Sequence, residues 1–262
     1  LAMVIADVDP GTAGAKIAAS AALPLITANA DNALFKYVGA PNNNPLSNDV
    51  PPRSARQDFV MANTLVDEMN TLNDPRRAAY FTTVGGEYVG GKYGFSNVYA
   101  NFSTFSTKVT ATTFPGNMLD ASEVNFLLAE AVERGFITGD AKSYYDAAIT
   151  ASLAYWGVTG VEDYLAQATV DYSNAGSGAS WQEKIGTQKW IALYNRGFDA
   201  WTEWRRLDFP VLVAPDASGV PPIPKRLIYP IIENSLNAAN TKAAAAAIGG
   251  DDSATRLFWD VK

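Results

Sequence analysis

The sequence predicts a mostly α fold: helical hairpins joined by long irregular loops, with at most a small β-hairpin. Three observations carry this expectation. Val124, Leu127, Leu128 and Ala131 stand at i, i+3, i+4 and i+7, the apolar stripe of an amphipathic helix. Gly135 and Gly139-Asp140 then separate that stripe from a second helix-forming stretch carrying Ala141, Tyr145 and Ala148. Helix-start residues and glycine or proline stops recur along the rest of the chain.

Taken in order, Leu1 to Val8 read as the end of a helix, so a fragment or processed chain is expected. Asp9-Pro10 starts the next helix, with Asp as the cap and Pro where its missing N–H costs nothing. Ala40 to Pro52 is rich in Pro and Asn and reads as loop. Ser54 is expected to cap a helix running to about Leu72, with Phe59, Leu65, Val66 and Met69 near helical spacing. From Tyr80 to Met118 helical periodicity is lost, Gly85-Gly86 and Gly90-Gly91 punctuate the chain, and aromatic residues are dense. A short hairpin is expected around Lys108 to Thr113, where Thr and Val favour strand. Asp120 or Ser122 starts the strongest helix, and the hairpin it forms with the next has the Ala and Tyr spacing of a tetratricopeptide repeat. A lone repeat cannot bury its apolar face and needs helical neighbours. Ser173 to Ser180 reads as a linker. Trp181 to Trp204 is helical with Gly197 dividing it, Phe209 to Pro230 is extended and turned by its prolines, and Ser235 caps a last, Ala-rich helix that Gly249-Gly250 ends. Trp259 is expected to dock the tail.

Composition bounds the chemistry. The chain has 262 residues, 48% of them hydrophobic, ample for a core, and no apolar run of eighteen residues. A formal net charge of −7 argues against nucleic acid, whose phosphates need a basic face. With 0 His and 0 Cys there is no Ser-His-Asp or Cys-His chemistry, no HExxH motif and no thiolate-bound zinc. No cofactor is expected and no EF-hand spacing occurs. Any catalysis would fall to carboxylates. Glu130 and Glu133 could approach as a glycosidase pair, but Glu133 precedes Arg134 near a helix end, where exposed charge is ordinary. The expectation is therefore a non-enzymatic protein.

Several stretches resemble one family. They are Ala121 to Ala131 followed by Gly135; Tyr144-Tyr145 with Ala148-Ile149 and Ser152; and Trp156-Gly157-Val158. Ile185 to Leu193 then runs into Ala200-Trp201-Thr202-Glu203-Trp204-Arg205-Arg206, and Pro224 to Pro230 follows, with Glu233 and Asn237 beyond. In this order the series resembles the SusD/RagB family of outer-membrane nutrient-binding lipoproteins, over roughly Leu1 to Lys262. The resemblance implies a SusD-like α-α superhelix, with residues 1–262 forming one domain, its C-terminal part, and residues 80–118 an aromatic loop insertion. It implies an oligosaccharide or other nutrient as ligand and a SusC-like TonB-dependent transporter as partner. It also implies outer-membrane attachment through a lipid anchor on an N-terminal Cys that this sequence lacks. A helical scaffold that binds protein and no sugar is the alternative.

The aromatic stretch is the candidate site. Sugars stack a C–H-rich face on flat rings while their hydroxyls seek amides and charged groups. Tyr88, Tyr93, Phe95 and Tyr99 stand there beside Asn97 and Asn101, with Glu87 and Lys92 adding charge. The glycines would let backbone approach a ligand. The competing reading is that these rings pin the loop to the helices. A poorer candidate is the loop Asn42 to Asn48. Gln188, Lys189, Trp190, Trp201, Glu203, Arg205 and Arg206 read as scaffold, with Arg205 expected to clasp Glu130 or Glu123.

Overall fold

The computed structural model describes residues 1–215 and 222–261. After a 3-10 turn at Ala2–Ile5, helix α1 (Pro10–Ala21) begins where Asp9 accepts the amide of Thr12. Strand β1 (Ala33–Phe35) and helix α2 (Pro45–Asp49) follow, then α3 (Asn63–Thr71) and α4 (Arg77–Tyr80). Strand β2 (Gly116–Leu119) leads into α5 (Ala121–Glu133), α6 (Ala141–Trp156) and α7 (Val161–Leu165). Helices α8 (Trp181–Ala192), α9 (Gly197–Leu207), α10 (Glu233–Leu236) and α11 (Ala238–Ala247) complete the described chain.

The hairpin α5–α6 is the structural centre. Asp120 and Asp140 cap its two helices, accepting from Glu123 and from Lys142 and Ser143. Each helix so capped gains about 1 kcal/mol. The connecting turn places Gly135 at φ +69°, a left-handed conformation that favours glycine. α1 packs on one side of α5, burying Met3, Ala6 and Ala13 against Ala131. On the other side α6, α8 and the 61–81 region enclose the main core around Phe126, Tyr145, Ile149, Leu153, Ile185 and Ile191. Within it Tyr80 stacks on Tyr194 with centroids 4.1 Å apart, and meets Trp156 edge-on at 4.6 Å.

The β-structure departs from expectation. Lys108 to Thr113 forms turns, and the small antiparallel sheet pairs Ala33–Phe35 with Gly116–Leu119, segments far apart in sequence. Local side chains override the strand propensity of Thr and Val. The Thr110 hydroxyl donates to the Ser106 carbonyl, and the buried Asn44 amide donates to the carbonyls of Val109 and Ala111. Asn44 thereby makes the Asn42–Asn48 segment a structural brace. The loop expected over Ala40 to Pro52 is interrupted by α2, which Asn44 caps by accepting the Leu46 amide, with Pro45 at the first helical position.

The expected helix from Ser54 starts only at Asn63. Before it the backbone is used otherwise: the Met61 amide donates to the Ser103 carbonyl, and Gly91 N–H donates to the Met61 carbonyl. Val66 and Met69 are fully buried as the spacing requires, whereas Phe59 lies outside the helix, exposed beneath the Arg56 guanidinium. The division of the Trp181–Trp204 segment falls at Leu193–Arg196, where Asn195 takes φ +64°, and Gly197 begins the second helix. The last helical region begins at Glu233 rather than under a Ser235 cap and is broken at Asn237. In the Phe209–Pro230 stretch, Pro221 lies outside the described residues.

Gly90 and Gly91 bring chain against chain. A Cβ on Gly90 would stand 2.3 Å from Asn63 Cα, and one on Gly91 would stand 2.6 Å from the Val60 side chain. The room at Gly90 is filled by the protein's own backbone at the start of α3, and that at Gly91 by the side chains of Val60 and Asn97. Gly90→Ala is therefore expected to lower the thermal midpoint by several degrees, at about 2–4 °C per kcal/mol for a chain of this size. Gly85→Ala, whose Cβ would meet nothing within 4 Å, should cost only the strain of its φ of +62°. Calorimetry on the two variants checks the ranking, and equal midpoints would refute it.

Candidate functional site

Three segments enclose a surface cleft of about 350 Å³. The first two turns of α3 contribute Asn63, Thr64 and Glu68, the aromatic loop contributes Lys92 and Tyr93, and the third wall is the extended run 210–215. The Tyr93 amide donates to Asn63 Oδ1 at 3.3 Å, and its hydroxyl donates to the Val213 carbonyl, so this one residue spans all three walls. Gly94, at φ +81°, packs so tightly on Pro215 that a Cβ there would lie 2.6 Å from it. Burial raises the Glu68 carboxyl above its ordinary range, and the nearby charge of Glu183 pushes the same way.

The cleft thus carries one aromatic ring, an amide, a hydroxyl, a carboxyl and an ammonium group. The apolar C–H face of a sugar can rest on the first, and its hydroxyls can pair with the others.

The six residues singled out in the sequence have different surroundings. Tyr93 lines the cleft, and Phe95 stands exposed nearby with Lys92 Nζ 4.0 Å from its ring centroid. Asn97 braces the loop, its amide donating to the carbonyls of Lys92 and Phe95. Tyr88 packs on the main core edge-to-face with Phe81, under the Arg77 guanidinium. Tyr99 borders a shallow notch beside Pro51 and Phe59, and Asn101 is exposed at a short helical turn. The structure brings only Tyr93 of the six into the cleft, with Phe95 at its margin.

Sequence reasoning missed Asn63, Thr64, Glu68 and the 210–215 wall, which come from segments about 30 and 120 residues away. It also passed over an aromatic groove of about 270 Å³ on the far side of Leu212, lined by Trp190, Tyr194, Trp201 and Trp204. The signal there was the recurrence of rings on either side of the α8–α9 break. The groove continues onto an open apolar shelf of Phe198, Trp201, Ile223, Pro224 and Leu227.

The carboxylates weighed, and set aside, as a glycosidase pair are otherwise engaged. Glu130 is buried beneath Arg206 and Arg134, Glu123 binds Arg196 at 2.6 Å, and Glu133 accepts from the Tyr172 hydroxyl at 2.6 Å. Arg205, expected to clasp one of them, lies between the rings of Trp201 and Trp259, 3.7 and 4.8 Å from their centroids. Its neighbour Arg206 makes the Glu130 contact because adjacent helical residues point about 100° apart.

A mostly helical scaffold built on a repeat-like hairpin, with a ring-and-amide cleft set among its loops, defines a helical-repeat type of fold with a candidate ligand cleft. The chain belongs to the SusD-like family: the family model described as "Starch-binding associating with outer membrane" matches residues 1–230. A SusD homolog from Bacteroides uniformis superposes with a TM-score of 0.86 at 31% identity, over 100% of this chain and 62% of its own. A chitin-binding SusD homolog from Flavobacterium johnsoniae superposes with a TM-score of 0.83 at 27% identity, over 100% of this chain and 61% of its own. A SusD homolog from Bacteroides ovatus gives 0.85 at 29% identity, over 100% and 64%. The chain therefore spans about three fifths of the length of these solved relatives. No curated protein matches it. Among the described residues no helix is long and apolar enough to cross a membrane.

Proposed function

We propose that this chain binds carbohydrate in the Tyr93 cleft, without chemistry on it, as part of a cell-surface subunit that passes oligosaccharide to a SusC-like TonB-dependent transporter. The observation that carries the reading is the convergence of the Tyr93 ring with Asn63, Thr64, Glu68 and Lys92 in one open cleft. The family's description as starch-binding and outer-membrane-associated supports it, as does the chitin-binding relative. In this reading the protein is held at the outer membrane through a lipid anchor.

Calorimetric titration against a panel of oligosaccharides, including starch and chitin fragments, is the test. Lys92→Ala and Tyr93→Ala should each weaken binding of the responding sugar about tenfold, the equivalent of roughly 1.4 kcal/mol. Tyr93→Phe, which keeps the ring and loses the tie to Val213, should weaken it less. Unchanged affinity in all three variants would remove the cleft from the function.

A second reading, a scaffold that binds protein and no sugar, is favoured by one feature. Phe198 and Leu227 remain 74% and 69% exposed on the apolar shelf, which offers few polar groups to a sugar. Loss of sugar binding on Phe198→Ser, with the Tyr93 variants silent, would move the site to this shelf. Binding to protein but to no glycan would favour the scaffold.

A further inference from the structure

One polar group of the cleft has no protein partner. Glu68 follows Thr64 by four residues along α3, so the two side chains share the helix face that lines the cleft. It is half-buried there. The groups around it are occupied. Asn63 Oδ1 accepts the Tyr93 amide, the Tyr93 hydroxyl donates to the Val213 carbonyl, and Lys92 Nζ lies 4.0 Å from the Phe95 ring centroid. Among the described residues the Glu68 carboxylate accepts no hydrogen bond and forms no ion pair, with Lys92 or any other cation.

The charge that Glu68 does meet has its own sign. Glu183, in the first turn of α8, accepts the Ala179 amide at 2.7 Å and so is fixed in place. Burial, and then the like charge of Glu183, hold the Glu68 carboxyl above its ordinary range, with no cation to offset them. A partly desolvated carboxylate without donors is an unfavourable arrangement that a ligand can relieve. A sugar hydroxyl supplies a donor. An ammonium group supplies donors and the missing counter-charge together. A ligand carboxylate would instead meet Glu68 and Glu183, against the single charge of Lys92. The formal net charge of −7 acts in the same direction at longer range.

We infer that the cleft selects glycans bearing a free amino group, whose ammonium pairs with Glu68, over N-acylated and acidic glycans. This rests on the carbohydrate reading of the cleft and adds which sugar it prefers. The division of labour follows from the chemistry of each group. Tyr93 offers its ring to the sugar's C–H face, Lys92 donates to hydroxyl oxygens, and Glu68 reads the amine.

Calorimetric titration of the protein with three oligosaccharides of equal length tests the preference. They are built of glucosamine, N-acetylglucosamine and galacturonic acid, and are compared at a pH where the sugar amine is protonated. The glucosamine oligomer is expected to bind about tenfold tighter than its N-acetylated counterpart, and the acidic oligomer weakest. Glu68→Gln should abolish the difference between the first two, and added salt should shrink it in the parent. The thermal midpoint of Glu68→Gln should be no lower than the parent's, because the repulsion from Glu183 is gone. Equal affinities in the parent, tighter binding of the acidic oligomer, or a preference that survives in Glu68→Gln would overturn the inference while leaving sugar binding in place. Binding of none of the three, nor of any neutral glycan, would remove the carbohydrate reading itself.

Discussion

Replacing Glu130 by Gln will destabilise the protein by about 3–5 kcal/mol, the cost of breaking a buried ion pair from one side. Glu130 is fully buried at the centre of α5, and both nitrogens of the Arg206 fork bind it, with Arg134 donating to it at 2.7 Å. Arg206 also binds Glu203, which in turn accepts from the buried Lys189 at 2.8 Å. The network therefore joins α5 to α8 and α9. Gln keeps the shape and removes the charge, leaving two guanidinium groups short of compensation in a low-dielectric interior. Chemical denaturation of the variant measures the loss. A change under 1 kcal/mol would show that the network is not a determinant of stability.

The same network gives the protein an acid limb. Burial works to raise the Glu203 carboxyl, but Arg206 and Lys189 outweigh it and hold the group at about 2, against an ordinary 4.5. Because the folded value lies below the unfolded one, the stabilisation is present above about pH 4.5 and is lost as pH falls toward 2. Stability measured across that window should decline steeply, and Glu203→Gln should flatten the decline. A variant whose acid limb matches the parent would contradict the assignment.

The second large effect is expected at Asp74. Asp74 and Arg76 have fully buried side chains and pair at 2.5 Å. The guanidinium also donates to Ser152 at 3.0 Å and Gln188 at 2.9 Å, and the Tyr164 hydroxyl donates to Asp74 at 2.9 Å. This knot fastens the turn between α3 and α4 to α6, α7 and α8. Burial alone would lower the Arg76 group, but the Asp74 charge more than reverses it, so Arg76 stays charged. Asp74→Ala leaves that charge without its counter-ion, at a cost of about 3–5 kcal/mol. The double variant Asp74→Leu with Arg76→Met, which removes both charges, should recover much of the loss. Urea unfolding of the parent and variants tests the cycle. A double variant as unstable as Asp74→Ala would mean that the hydrogen bonds to Ser152, Gln188 and Tyr164 outweigh the ion pair.

The first of these knots was half-visible in the sequence and the second was not. Glu130, Glu203 and Arg206 stood out as a carboxylate–arginine set, yet the clasp was expected from Arg205. One residue along a helix turns a side chain through about 100°, and the choice between neighbours depended on where Trp201 and Trp259 lie. Asp74 and Arg76 gave no signal, because a buried ion pair in a turn looks like any polar turn until its neighbours across the core are known.

What the sequence by itself determined is the helical framework around α5–α6. The apolar stripe, the Asp120 and Asp140 caps and the stop at Gly135 act over single turns, and 3.6-residue periodicity writes them directly into the chain. The resemblance to SusD-like proteins was legible because its separate stretches, from Ala121 to Asn237, stand in one order along the chain. Only the tertiary structure decided which ring of the aromatic stretch enters a cleft. Tyr88 and Tyr93 have similar compositional surroundings, but Tyr88 finds Phe81 and Arg77, whereas Tyr93 meets Asn63 and Val213. Those partners lie up to 120 residues away, and no local periodicity encodes an encounter between irregular segments. It is set by the close backbone approach at Gly90 and by the path of the 210–215 run past the start of α3.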